Sequence, residues 1–140
     1  MKDNLSTLSK LGSEGTDYLY DNPSVRILET FENKYPKRDY WVNFIFPEFT
    51  SLCPKTGQPD FATISIKYIP DKLCVESKSL KLYFFSYRNC ESFMETIVNR
   101  ILEDLVVKCS PRQMIVVGDF NVRGGTKIVV EAKYAEQEGG

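Results

Sequence analysis

The helical half of this chain begins with the stretch Glu76-Ser77-Lys78-Ser79-Leu80-Lys81-Leu82-Tyr83. Within this stretch and just beyond it, apolar side chains recur at spacings of three and four residues, at Leu80, Tyr83, Phe84 and Tyr87. That spacing places them on one face of an α-helix, so the sequence predicts an amphipathic helix here. The polar residues 89–92 interrupt the pattern and end the helix.

A second helix is predicted directly after this break. Its apolar stripe consists of Phe93, Ile97, Ile101 and Leu105, widened by Val98 and Leu102. A stripe of this width over about four turns is typical of a helix that covers a core with one face. Pro111 closes the helix, because proline cannot continue it.

Pairs of strands are predicted on both sides of the helices. Alternating apolar and polar residues indicate strands over Tyr40–Phe46, which Pro47 ends, and over Phe61–Ile69. Two further strands, Met114–Phe120 and Lys127–Tyr134, are joined by a glycine-containing hairpin connection. The order is therefore β-β-α-α-β-β, an α+β fold with an antiparallel sheet and both helices on one face. So small a sheet leaves open edges, which assembly around a ring of subunits would close.

Length and charge restrict the classes of protein to be considered. We expect residues 1–22, rich in Ser, Gly, Asn and Asp, to be a flexible arm and residues 23–140 to be one domain. The net charge is −1 without a basic block, which argues against direct binding of nucleic acid. No apolar stretch approaches the roughly 18 residues of a membrane span, and the amino-terminal residues do not resemble a secretion signal. We therefore expect a cytoplasmic protein that does not bind membranes.

Residue counts exclude several kinds of active site. The chain has no histidine, which excludes Ser-His-Asp and Cys-His arrangements and argues against a catalytic zinc, so no metal is expected. The four cysteines form no C-x-x-C pair, and for a cytoplasmic protein we expect them to be reduced.

One cysteine lies where chemistry is expected. Cys53 begins a turn rich in Pro and Gly, and Asp60 follows seven residues later. A nucleophilic thiol near a carboxyl group is suited to covalent catalysis, with Lys55 or Asp60 assisting the thiolate. From these residues alone, a loop cysteine without a role and an aspartate that serves only the turn remain open interpretations.

These motifs resemble the NADPH-dependent 7-cyano-7-deazaguanine reductases, in their short single-module form, within the tunnelling-fold superfamily. The resemblance extends from Leu11-Gly12 through Tyr18 to Arg123-Gly124-Gly125, and residues 76–83 are its most specific part. It implies reduction of the nitrile to an aminomethyl group with two NADPH, as part of queuosine biosynthesis for tRNA modification. It also implies that Cys53 forms a thioimide with the nitrile and that Asp60 donates the proton.

The resemblance further assigns binding residues. Those for 7-cyano-7-deazaguanine are Val75, Glu76, Ser77, Met94 and Glu95, with Glu95 anchoring the base. Those for the phosphates of NADPH are Lys78, Lys81 and Arg123. From spacing alone, two lysines one turn apart indicate no more than a solvated helix face, and Glu76 and Ser77 could be helix-capping residues.

One residue departs from the family pattern. Where family members carry histidine before the anchoring glutamate, this chain has Met94, which cannot transfer a proton. Two alternatives to the reductase therefore stay open: an amidine-forming relative that uses the same thioimide, and a deazaguanine-binding module with weakened catalysis. The resemblance also implies a homo-oligomer of two stacked rings, with active sites between subunits.

Overall fold

The computed structural model describes residues 22–137. Apart from Asn22, the predicted amino-terminal arm lies outside the described residues, as do the last three residues of the chain.

The elements follow the predicted order, with three short additions, a 3-10 turn and two strands of three residues. A 3-10 turn covers Val25–Ile27; the strands are β1 (Thr30–Glu32), β2 (Val42–Leu52), β3 (Pro59–Ile69), β4 (Leu73–Val75), β5 (Gln113–Phe120) and β6 (Val129–Ala135); the helices are α1 (Ser77–Phe85) and α2 (Met94–Cys109). Strands β2, β3, β5 and β6 correspond to the four predicted strands. They form one antiparallel sheet in the order β2-β3-β5-β6.

A second, two-stranded sheet was not predicted. It pairs β1 with β4 in antiparallel register, with Phe31 opposite Cys74. Three residues are too few to show an alternating pattern, so the sequence carries no signal for these strands. This small sheet fixes the position of the residue before α1, because Glu76 N–H donates to the carbonyl of Glu29 at 2.9 Å.

The prediction that Pro47 ends the first strand is wrong. Strand β2 continues to Leu52, and the register with β3 shifts between Phe46 and Phe49. Pro47 lies in this irregularity, on a strand at the edge of the sheet, where its missing N–H breaks no ladder hydrogen bond. The strand therefore passes through the proline and extends to the residue before Cys53.

Both helices cover one face of the sheet, as predicted. Buried positions alternate along β3 at Ala62, Ile64, Ile66 and Tyr68, and they continue on β5 at Met114, Val116 and Phe120. From the helices, the buried residues include Leu80, Tyr83, Phe84, Ile97, Val98, Ile101 and Leu105. The two helices are also joined through polar groups, since the Tyr83 hydroxyl donates to Asp104 at 2.6 Å. No helix within residues 22–137 is long and apolar enough to cross a membrane.

Candidate active site

The loop between β2 and β3 carries Cys53 and is closed by its own backbone. Cys53 N–H donates to the carbonyl of Gln58, and Gly57 N–H donates to the carbonyl of Cys53, both at 2.9 Å. Gly57 has a φ of 70°, in the left-handed region where a side chain would be strained. The loop therefore fixes the position of the cysteine through backbone geometry, as the Pro/Gly-rich sequence predicts.

Hydrogen bonds in this loop lower the pKa of Cys53 to about 7. The largest cause is the Thr56 hydroxyl, followed by the backbone N–H groups of Thr56 and Lys55, all of which favour the thiolate. Partial desolvation opposes them, and the charge of Arg123 adds to them. The expectation that the charge of Lys55 assists needs correction, because Lys55 acts through its backbone and the assisting cation is Arg123. The lowered pKa raises the thiolate fraction at neutral pH above that of an ordinary cysteine.

Asp60 lies opposite this loop and is ion-paired. Its side chain is only 6% exposed, and Arg123 Nη1 is 2.5 Å from its Oδ1. The second guanidinium nitrogen of Arg123 donates to Gln58 Oε1 at 2.6 Å. Arg123 reaches this position from the β5–β6 hairpin, where residues 123 and 126 exchange backbone hydrogen bonds around two glycines with positive φ. Arg123, which the sequence predicts to bind a phosphate of NADPH, thus binds Asp60, the predicted proton donor, in this structure.

The start of α2 is tied to the same end of the sheet. Leu52 N–H donates to the carbonyl of Cys90 at 3.0 Å, and Ser92 N–H donates to the carbonyl of Leu52 at 3.1 Å. Because Leu52 directly precedes Cys53, these bonds hold the amino-terminal end of α2 beside the cysteine loop. Met94 and Glu95, the first residues of α2, are thereby brought to the same end of the fold.

Met94 and Glu95 differ in exposure. Met94 is half-buried and packs against the core, whereas the exposed Glu95 lines a cleft of about 560 Å³ along α2. Asp60 and Arg123 line another cleft, of about 340 Å³, together with Phe61 and neighbours. Within one chain, the predicted base anchor Glu95 and the predicted proton donor Asp60 therefore face different clefts.

The carboxylate of Glu76 caps the amino-terminal end of α1. Glu76 accepts from the N–H groups of Lys78 at 2.8 Å and Ser79 at 2.7 Å. Desolvation raises the pKa of Glu76, but these two hydrogen bonds outweigh it, so the pKa lies below its usual value. Val75 ends β4 and is buried, and its N–H donates to the Tyr68 hydroxyl at 2.8 Å. The capping interpretation thus holds for Glu76, whereas Ser77 is an exposed first helical residue.

The predicted cofactor lysines lie far from Cys53 within one chain. Asp60 and Tyr68 are eight residues apart on β3, roughly 26 Å at about 3.3 Å per residue. Tyr68 binds Val75 just before α1, so α1 begins at the end of the sheet opposite Cys53. Lys78 and Lys81, in the first turns of α1, are exposed and have no ion-pair partner among residues 22–137. Their two unpaired charges suit the phosphates of a dinucleotide.

Sequence reasoning did not single out Thr56 and Gln58. A hydroxyl residue three positions after a cysteine in a tight turn is a usable signal, because such side chains commonly bind nearby groups in turns. The sequence gives no comparable signal for Gln58. Within residues 22–137, no cluster of three or more His, Cys, Asp or Glu residues is arranged to hold a metal ion.

This chain is similar to known proteins over most of its length. The sequence model of the QueF-like protein family matches residues 59–139. A relative from Bacillus licheniformis, named NADPH-dependent 7-cyano-7-deazaguanine reductase, is 54% identical over 94% of this chain and 79% of its own length. A protein of the same name from Chlorobaculum tepidum is 54% identical over 80% of this chain and 96% of its own length.

A solved structure shares the fold. The apo form of the archaeosine synthase QueF-Like superposes with a TM-score of 0.65 at 22% identity, covering 70% of this chain and 96% of that one. The α+β architecture is thus that of the tunnelling fold. With a matching family model and relatives above 50% identity over most of its length, the chain belongs to the QueF-like protein family and is similar to proteins named NADPH-dependent 7-cyano-7-deazaguanine reductase.

Proposed function

We propose that this chain reduces 7-cyano-7-deazaguanine to 7-aminomethyl-7-deazaguanine with NADPH, in queuosine biosynthesis. The observation that carries the proposal is the pairing of a cysteine whose pKa is lowered to about 7 with a buried carboxyl at the end of the neighbouring strand. Relatives 52–55% identical to the chain bear the name of this reductase. These reductases share far more of the sequence than does the archaeosine synthase QueF-Like, which is only 22% identical.

The first chemical step joins Cys53 to the substrate. The thiolate attacks the nitrile carbon, one C–N π bond breaks, and the nitrogen takes a proton from Asp60 to give a thioimide. The thioimide accepts hydride more readily than the nitrile does. Reduction to the amine then requires two hydrides and two protons in total, and Cys53 leaves between the two reductions.

The residues that would hold NADPH are Lys78 and Lys81, with Arg123 as a third cation. The two lysines fit because both are exposed, unpaired within the described residues and one helical turn apart. NADPH supplies the hydride. Arg123 is bound to Asp60 in this structure, so its contact with a phosphate would require the guanidinium to be shared or released.

Binding of the substrate would use both helix starts. We assign Glu95 as the acceptor for the N–H groups of the pyrimidine edge, with Met94 packing beside the ring. Val75, Glu76 and Ser77 would contribute through backbone groups, since the Glu76 carboxylate is already occupied by its cap.

Assembly follows from the separation of these groups. Lys78 and Lys81 lie at the opposite end of the sheet from Cys53, so we infer that each active site combines Cys53 of one subunit with α1 of a neighbour. A cytoplasmic homo-oligomer of two stacked rings provides such interfaces. Residues 23–140 then act as one catalytic domain. The exposed Trp41, just before β2, and the exposed Ile45, on β2, are suited to subunit contacts.

A single experiment tests the function. NADPH oxidation is followed at neutral pH with and without 7-cyano-7-deazaguanine, and the product is identified by mass spectrometry. We expect two NADPH consumed per aminomethyl product. A covalent adduct without NADPH consumption would refute the reductase and favour the amidine-forming relative or a binding module.

A further inference from the structure

One buried hydroxyl beside Asp60 has no hydrogen-bond partner. Ser51 is 0% exposed, and among the buried side-chain oxygens and nitrogens of residues 22–137 its Oγ alone is unpaired. Leaving a buried hydroxyl unpaired costs free energy, so such groups are uncommon in native proteins and call for an explanation.

The strand register places this hydroxyl next to the predicted proton donor. Ser51 on β2 is directly opposite Asp60 on β3. Residues directly opposite each other in an antiparallel pair project to the same face, with Cβ atoms about 4.5–5.5 Å apart. Both side chains are buried on the face that the helices cover, and Cys53 follows two residues after Ser51.

The chemistry of the neighbours shows what this hydroxyl can supply. Arg123, which binds Asp60 Oδ1, is a donor only. It stabilises the carboxylate through that one oxygen. A protonated carboxyl group keeps acceptor capacity besides its single O–H, so the Ser51 hydroxyl can donate to Asp60 in either protonation state.

We propose that Ser51 is a positioning residue whose hydroxyl donates a hydrogen bond to the Asp60 carboxyl group, which leaves the carboxyl O–H free to point towards the nitrile nitrogen. This inference rests on the proposed function. As the bond between Cys53 and the nitrile carbon forms, the proton moves from Asp60 to the nitrogen. The Asp60 carboxylate that remains keeps the hydrogen bond from the Ser51 hydroxyl, which strengthens as the negative charge develops.

The test measures formation of the covalent adduct without NADPH. Ser51→Ala and the unaltered protein are mixed with increasing 7-cyano-7-deazaguanine, and the adduct on Cys53 is quantified over time by mass spectrometry. We expect the limiting rate to fall roughly tenfold, the effect of one lost hydrogen bond, with an unchanged half-saturating concentration. Alkylation of Cys53 by iodoacetamide should keep its rate, because alkylation needs the thiolate but no proton donor.

Thermal unfolding separates positioning from a structural role. Because the Ser51 hydroxyl is unpaired in the free protein, Ser51→Ala should keep or raise the Tm. The matched control is Ser86→Ala: Ser86 is also 0% exposed, but its hydroxyl donates to the carbonyl of Tyr83. This control should lower the Tm and leave the adduct rate unchanged.

Each outcome has a distinct meaning. An unaltered limiting rate in Ser51→Ala, while the unaltered protein forms the adduct, would overturn the role of Ser51 alone. A Tm loss in Ser51→Ala as large as that of Ser86→Ala would also overturn it, because the hydroxyl would then be paired in the resting protein. If the unaltered protein forms no adduct, the proposed function itself fails, and the role of Ser51 fails with it.

Discussion

Two inactive variants should restore activity to each other if the active site is shared between subunits. The first variant, Cys53→Ala, lacks the nucleophile but keeps the α1 lysines. The second, Lys78→Ala with Lys81→Ala, keeps Cys53 but should bind NADPH about a hundredfold more weakly or worse, because each charge-assisted phosphate contact contributes about 1.5–3 kcal/mol. Alone, each variant should be nearly inactive at an NADPH concentration near the dissociation constant of the unaltered protein.

The structure and the random mixing of subunits together give the fraction of activity that should return. Since β3 separates Asp60 from the start of α1 by roughly 26 Å, we infer that the Cys53 loop and the α1 lysines of one chain serve different active sites. In oligomers assembled randomly from equal amounts, half of the sites have an intact cysteine, and half of those meet an intact α1. About a quarter of the unaltered activity should therefore return.

The assay is nitrile-dependent NADPH oxidation by the co-expressed or co-refolded variants. The variants purified separately and mixed only in the cuvette are the control, and they should stay inactive unless subunits exchange. Mixed assembly is verified with a different affinity tag on each variant. Verified hetero-oligomers without recovered activity would refute a site shared across subunits.

Three further changes test the remaining roles. Thr56→Val should move the pH midpoint of Cys53 alkylation upwards from about 7, because the lowered pKa depends first on the Thr56 hydroxyl; an unmoved midpoint would exclude that cause. Arg123→Ala should weaken NADPH binding and also slow adduct formation, because the guanidinium holds Asp60; if only NADPH binding changes, the ion pair has no part in catalysis. Met94→His should raise turnover and add a pH dependence near 6–7, the range of an unperturbed imidazole, whereas an unchanged rate and profile would show that no proton relay is missing at this position.

The fold could be predicted from the sequence wherever a pattern extends over several residues. Alternation along β3 and the three-to-four spacing of α2 each involve many side chains, so the buried faces at Ile64, Ile66 and Ile101 are those expected. Elements of three residues have no such pattern, and β1 and β4 were missed for that reason. The strand end predicted at Pro47 is wrong because the effect of a proline depends on whether the strand is an edge strand, which local sequence does not reveal.

For the candidate site, the sequence suggests residues through their types but does not reveal their contacts. Cys53 and Asp60 are seven residues apart, and a tight turn brings such residues together. Arg123 is 63 residues from Asp60 along the chain, and only the pairing of β3 with β5 and the hairpin that follows makes them neighbours. Contacts that depend on strand register across the whole sheet have no local signature.

The ion pair between Arg123 and Asp60 affects how NADPH is expected to bind. An arginine with five donors can bind a carboxylate or a phosphate, but the planar guanidinium cannot give its best geometry to both at once. Arrival of a dinucleotide phosphate at Arg123 would therefore compete with Asp60 for the same N–H groups. The partner that remains beside Asp60 when Arg123 turns away is Ser51, which can bind the carboxyl in either protonation state. Under the proposed mechanism, cofactor binding and the protonation of the nitrile nitrogen would therefore depend on the same carboxyl group.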